Sequence, residues 1–315
     1  MIVSMARKKT QVKSRFSSYL FLIINTIVWG AALIVVKPAF EVTTPFRFLL
    51  YRYMIAAILS IPLLIHYLPK IKNLKKIIAK VTLIEGVIGT ISLSLLYFGL
   101  SLTSAIEASL ISTTSPIFVS ILAVAILKER EEKHEIVGLL IAFIGTLLLI
   151  LFPLINGNSG ITDISLTGNF LILAGNIFTA FYYIFTKKYY QKLPKILVAV
   201  ISFYVCLIIF APLSAVEAGG ITNLLALIQQ DSQHFSVWVA SGYMALFGSI
   251  IGYTAYLKGQ EGIEASEATL FSYLQPLVYI PMGIWFLSEK IYPLQIGSLL
   301  IILLGVIIAE KRFKK

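Results

Sequence analysis

Ten apolar runs follow one another along the chain, near residues 19–36, 47–67, 81–100, 106–127, 136–155, 166–186, 196–216, 236–257, 266–287 and 293–309. Each has roughly the 17–25 residues that a helix needs to cross a bilayer. In lipid every backbone N–H and C=O must find its partner within the protein, and a helix meets that demand within one segment. Composition agrees: charged residues make up 13% of the chain and hydrophobic ones 58%. A soluble domain carries about 25% charged residues to cover its surface. The sequence therefore predicts an all-α membrane protein with ten transmembrane helices. The shortest junctions, and so the least marked boundaries, are 101–105 and 288–292.

The basic residues test this count. With the N-terminus inside, twenty-two of the twenty-six Lys and Arg fall on the cytoplasmic side. Five lie in the N-terminal tail, five at 70–80, three at 128–133 and four at 187–195, followed by Lys258 and four at the C-terminal end. Lys37, Arg47 and Lys290 fall outside, and Arg52 lies within a span. A missed or invented span would invert every later loop and destroy this positive-inside bias. The net charge of +11 is then topogenic and attractive to anionic headgroups. It forms no continuous basic face, so nucleic acid is not an expected partner, whereas the lipid bilayer is. The expected location is the cell membrane, multi-pass, with both termini cytoplasmic. The basic N-terminus followed by an apolar run is shaped like a signal sequence, but 19–36 is long for one and no small-x-small cleavage pattern follows. It reads as a retained first span. The loops 156–165 and 217–235 carry no Lys or Arg, as exterior loops should, and 221–230 has the spacing of a short amphipathic helix on the outer interface.

Shifting the sequence on itself by 160 residues pairs Gly99 with Gly259, Ala105 with Ala265, Ala108 with Ala268 and Leu110 with Leu270. It also pairs Pro116 with Pro276, Leu127 with Leu287, Glu129 with Glu289 and Gly145 with Gly305. At a slightly shorter shift Lys37 meets Lys187, each just past a span. Each half then holds five spans, and an odd number makes the second half enter the bilayer from the opposite side. The expected architecture is two inverted five-helix repeats, at 19–155 and 166–310. A basic cytoplasmic tail (1–18) precedes them, an exterior linker (156–165) joins them, and a second basic tail (311–315) follows. Inverted repeats are a common carrier architecture, with the substrate site at the repeat interface near the midplane.

These features together resemble the EamA-type branch of the drug/metabolite transporter superfamily. In the first half they are Trp29-Gly30, Arg52, Tyr97-x-Gly99-Leu100, Thr103-Ser104-Ala105, Pro116, Leu127-x-Glu129-Arg130, and Gly138 with Gly145. In the second they are Gly259, Glu264-Ala265, Pro276, Ser288-Glu289-Lys290 and Gly305. The resemblance implies a ten-helix carrier of amino acids, nucleobase-like metabolites or drugs. It further implies a central cavity lined by the first, third, fourth, sixth, eighth and ninth helices, with the fifth and tenth packed behind. Asn176-Ile177 departs from the pattern, standing where a tryptophan-like position is expected in the sixth span.

Several residues are candidates for function. Pro116 and Pro276 sit mid-span, and each removes one helical hydrogen bond. The polar groups ahead of them, Ser112, Thr113, Thr114 and Ser115 in one half and Ser272, Tyr273 and Gln275 in the other, either offer themselves to a ligand or re-satisfy the local backbone. Arg52 and Glu85 are intramembrane charges that should face the interior and find partners. Arg52 is near enough to the exterior to snorkel, or else serves in gating or contacts substrate. Glu85 is either a proton-exchanging group for coupling or an interfacial residue in reach of cytoplasmic water. Trp29, Tyr97, Tyr182, Tyr183, Tyr253, Tyr256 and Tyr273 present rings to stack on a planar or cationic ligand, and Asn25, Asn176 and Gln275 are amides that lipid would penalise. Glu107 and Glu267 read as acids favoured by helix N-termini, and Glu129 and Glu289 as receivers of the N–H groups opening the next helix. Cys206 is the only cysteine, and His66, His134 and His234 share no ligand spacing, so neither a metal nor another cofactor is expected.

The leading expectation is a secondary transporter of a small-molecule substrate, proton-coupled or exchanging, since no phosphate-binding Walker loop occurs. A lipid flippase is the alternative. An intramembrane enzyme would need a nucleophile and base at membrane depth; the histidines lie near span ends or in loops, and Asp163 and Asp231 lie in exterior loops. The two halves can pair within one chain, so a monomer suffices.

Overall fold

The computed structural model describes residues 2–67, 69, 74–128, 133–152, 162–190 and 193–310, and among them the secondary structure is helical, with no strand. Six helices are long and apolar enough to cross a membrane: α1 (Arg15–Glu41), α3 (Leu74–Leu102), α4 (Ala105–Leu127), α6 (Ser165–Tyr190), α7 (Lys195–Glu217) and α8 (Phe235–Gly259). A seventh, α2, is the pair Pro45–Leu59 and Ile61–Tyr67, bent by 51°. Three shorter apolar helices, α5 (Ile136–Ile150), α9 (Phe271–Leu287) and α10 (Pro293–Gly305), bring the apolar segments among the described residues to ten. Six of the ten expected spans are thus long enough by themselves, and α2 makes a seventh if its two parts are taken as one span. Outward-facing Ile27, Leu140, Ile208 and Leu304 are more than half exposed, as a lipid-facing surface requires.

Packing is mostly between the two halves of the sequence. The extensive pairs are α5 with α10, α3 with α6, α2 with α7 and α1 with α8, joined by α4 with α6, α1 with α9 and α4 with α9. Glycines set the closest approaches. A Cβ on Gly145 would stand 2.9 Å from Ser298 O, and one on Gly305 would stand 2.5 Å from Gly138 O. Likewise a Cβ on Gly99 would stand 2.7 Å from Gly168 O and one on Gly259 3.3 Å from Ser18 O.

The ends of the spans match in the same way. Lys37 Nζ donates to the carbonyls of Leu100 (2.8 Å) and Thr103 (2.6 Å) at the close of α3. Lys187 Nζ donates to the carbonyls of Gln260 and Ile263 just beyond α8. Both are cations placed on helix C-terminal carbonyls, where charge and hydrogen bonding act together. Lys128 and Ser288 end α4 and α9 in the left-handed region, at φ 59° and 53°. Glu289 accepts from Ala105 N and Ile106 N, both at 2.8 Å. It therefore caps α4, in the other half, and not the helix that follows it in sequence, because the turn after α9 folds back over the start of α4. Glu129 lies outside the described residues.

On the side of the sequence-assigned exterior loops, the short helix Ile221–Asp231 forms as its spacing predicts. Its last residue, Asp231, is buried, accepting from Thr43 Oγ1 and Tyr51 Oη at 2.7 Å each and pairing with Arg47 Nε at 3.2 Å. Glu267, at the opposite end, receives Tyr19 Oη (2.5 Å) and the half-exposed Arg15 (2.7 Å). Glu107 takes Thr103, Ser165 and Asn169 on Oε2 at 2.7–3.2 Å.

Candidate functional site: a central polar cavity

Between the helix pairs lies a cavity of about 150 Å³. Eight helices line it, because α2 and α7 add Arg52, Tyr53, Ser202 and Phe203 to the six expected, while α5 and α10 pack on each other behind.

Glu85 is held at the wall by a local break in helix geometry. Ile84–Gly89 winds as a π-helical turn within α3, a form that inserts a residue into the i→i−4 ladder and redirects the side chains around it. The carboxylate is buried, and its Oε1 accepts from Tyr253 Oη (2.5 Å), Tyr182 Oη (3.1 Å) and Tyr190 Oη (3.4 Å). It is not an interfacial residue: the turn aims it inward, where tyrosines of α6 and α8 replace the water it gives up. A second π-helical stretch, Met244–Tyr253 in α8, carries Ser249 and Tyr253.

Arg52 does not snorkel. Its guanidinium is buried, with Nε donating to Ser249 Oγ (3.0 Å) and Nη1 to Tyr97 Oη (3.2 Å). It lies 5.6 Å from the centroid of the Trp29 ring and 5.0 Å from that of Tyr53, within cation–π range. Among the described residues no carboxylate pairs with it. Its neighbours come from α1, α2, α3 and α8, so the charge gathers one end of the cavity around itself.

The prolines break their helices outright. Pro116 opens the helix Ser115–Leu122 after a turn at Thr113–Thr114, and Pro276 opens Pro276–Leu287 after the 3₁₀ turn Phe271–Leu274. Proline suits a first helical turn, where its missing N–H leaves no bond unmade. Carbonyls near the breaks also receive donors from the facing half. Asn176 Nδ2 donates to Ile111 O (2.8 Å) and Thr114 Oγ1 (3.1 Å), and Thr26 Oγ1 donates to Phe271 O (3.0 Å). The hydroxyls near Pro116 mainly serve their own helix: Ser112, Thr113 and Thr114 donate to the carbonyls of Ala108, Leu110 and Ile111 at 2.6–2.7 Å.

Of the sequence candidates, Asn25, Trp29, Ser112, Asn176, Tyr182, Tyr253, Ser272, Gln275, Arg52 and Glu85 line the cavity, as do Tyr183 and Tyr256. Asn25 reaches across to Gly252 O at 3.0 Å. Five candidates stand behind the wall. Tyr97 is buried and reaches the cavity only through Arg52, Thr113 and Tyr273 are buried, and Pro116 and Pro276 set the helix breaks. Sequence reasoning missed Tyr190, Gly89, Ser92, Thr179, Ser202 and Ser249. Tyr190 sits at a helix end, where tyrosine normally marks the membrane interface, and single serines in apolar helices carry no signal of direction.

Residues 16–151 and 166–310 each match the family described as EamA-like transporter family. The chain is 27% identical over 296 residues to the uncharacterized transporter YyaM of Bacillus subtilis (strain 168), covering 93% of each chain. It is 26% identical over 297 residues to the uncharacterized inner membrane transporter YedA of Escherichia coli (strain K12), covering 90% of this chain and 87% of that one. A transporter of Archaeoglobus fulgidus is similar at 24% over 302 residues, 93% and 99% of the two chains. One solved crystal structure shares the fold at TM-score 0.62 and 16% identity, over 94% of this chain and 97% of that one. With both halves matched and the apolar helices in place, the chain is a multi-pass membrane protein that belongs to the EamA-like transporter family.

Proposed function

We propose that this protein is a secondary transporter that moves a small organic metabolite or drug, amino-acid-like or nucleobase-like, across the cytoplasmic membrane by alternating access. The observation that carries the reading is the cavity itself: a chamber lined by charged, amide, hydroxyl and aromatic side chains within an apolar bundle, walled by both family-matched stretches. Ten helices form two inverted five-helix halves with both termini cytoplasmic. Supporting this, exchanging α1–α5 for α6–α10 turns the list of packed pairs into itself: α1 with α8 becomes α6 with α3, and α1 with α9 becomes α6 with α4. The reciprocal glycine contacts and the matched Lys37 and Lys187 caps agree. Two similar units facing opposite ways give two states of similar energy, one open to each side.

Coupling is to protons or to a counter-substrate, since the sequence holds no Walker loop to use ATP. Glu85 is the group placed to carry a proton between the halves. Purified protein in proteoliposomes should show saturable counterflow of a labelled solute from a panel of amino acids, nucleobases and drugs. Trp29→Ala and Gln275→Ala should reduce it. Saturable phospholipid scrambling with no solute flux would overturn the reading in favour of a flippase, and flux unchanged by a collapsed proton gradient would remove proton coupling.

A further inference from the structure

The cavity holds two opposite charges. Arg52 gives one N–H to Ser249 and one to Tyr97, and its guanidinium lies against the rings of Trp29 and Tyr53. On Glu85 the three tyrosine hydroxyls all converge on Oε1. The other oxygen, Oε2, takes none of them. It faces Gly89, four residues on in the same π-helical turn, where a Cβ would stand 3.4 Å from it. Gly89 also lines the cavity, as does Ser202, a further hydroxyl beside the Glu85 carboxylate, and Gly89 places no side chain over that oxygen.

A second, independent feature surrounds it. Tyr182 stands with its ring centroid 6.4 Å from that of Tyr253 and 5.8 Å from that of Tyr183, and Tyr183 packs 4.6 Å from Tyr256. With their hydroxyl edges committed to Oε1, Tyr182 and Tyr253 have their ring faces left for a ligand. A carboxylate oxygen beside aromatic faces attracts positive charge twice over, by charge-assisted hydrogen bonding and by cation–π attraction. Arg52 lines the same cavity and has five N–H groups, of which Ser249 and Tyr97 take one each, so the preference concerns the positive group at Glu85 alone. The volume of about 150 Å³ suits a molecule near the size of benzene, which a cavity of comparable volume is known to admit.

We propose that Glu85 Oε2 and the adjoining tyrosine faces recognise the positively charged group of a small organic cation, in preference to neutral solutes of the same shape. This rests on the transporter reading above and narrows its substrate class. The test is calorimetric binding to the purified full chain in nanodiscs. The probes are choline and benzylammonium, each against its neutral counterpart, 3,3-dimethylbutan-1-ol or benzyl alcohol. At least one cation should bind more than about tenfold tighter than its neutral counterpart, as a buried charge-assisted contact implies. Glu85→Gln should abolish that preference. Gly89→Ala, whose Cβ meets only ordinary contacts, should weaken cation binding with the melting temperature unchanged, so the idea stays testable if Glu85→Gln destabilises the fold. Equal binding of cation and neutral counterpart, binding of neither cation, or an unaltered preference in both variants would overturn it. Proteoliposome flux separates the two readings: flux of a neutral solute indifferent to Glu85→Gln sinks the cation site and keeps the transporter, while cation binding without flux does the reverse.

Discussion

A lysine at the end of an apolar span is easily taken for an interface anchor, yet Lys37 and Lys187 turn their ammonium groups onto the closing carbonyls of α3 and the chain just past α8. Helix C-termini leave carbonyls without intrahelical partners, and near the membrane boundary few waters compete for them. Removing a charged donor from such a place costs about 1.5–3 kcal/mol. Lys37→Met and Lys187→Met should each lower unfolding stability by that order in detergent denaturation, and equal losses would mark the two positions as equivalents. The shift that aligned these lysines was visible in sequence, as was the need for Arg52 and Glu85 to find partners. Their actual partners were not. Tyr97 and Ser249 for Arg52, and Tyr182, Tyr190 and Tyr253 for Glu85, come in each case from two other helices.

At the scale of helices, the interruptions do more than the regular turns. The breaks before Pro116 and Pro276 follow from proline's missing N–H and were legible as such. The π-helical turns at Ile84–Gly89 and Met244–Tyr253 leave no comparable mark, since no residue type requires them. Glycine, by contrast, states where two helices touch. Gly145 and Gly305 bring α5 and α10 together with backbone against backbone, and a Cβ on Gly305 would also fall 2.5 Å from Ala142 N. Gly145→Val and Gly305→Val should therefore each destabilise by about 1–3 kcal/mol through overpacking. Because both act on one interface, the double variant should cost less than the sum of the two. Melting in detergent measures this, and additive losses would show that the two contacts are independent.

For the whole molecule the question is which side is closed and how firmly. Asp231, with Thr43, Arg47 and Tyr51, forms a buried ion pair with two further hydrogen bonds, whereas the Arg15–Glu267 pair at the other end is half exposed at its arginine. Exposed pairs contribute little, but removing one partner of a buried pair strands the other charge at a cost of about 3–5 kcal/mol. Asp231→Ala should lower the melting temperature far more than Glu267→Ala, and similar small losses in both would show that the clasp does not hold its end of the bundle. Reporter fusions at residue 315 and in the 217–235 loop should lie on opposite sides of the membrane; the same side for both would break the inverted topology.

The order of apolar runs, the bias of Lys and Arg and the duplicated Gly, Pro and Glu positions follow from local composition and spacing, so the chain by itself determined its class, its two-part plan and its family. Direction within the bundle is another matter. Helices that are apolar on nearly every side carry no stripe to say which face meets the partner half, so a serine, tyrosine or glutamate declares its depth and not its aim. Only the tertiary structure decided that Glu85 turns inward on a π-helical turn, that Arg52 is enclosed and that Gly89 places no side chain over one carboxylate oxygen. Each of those facts depends on contacts between helices far apart in sequence, whose geometry no local pattern encodes.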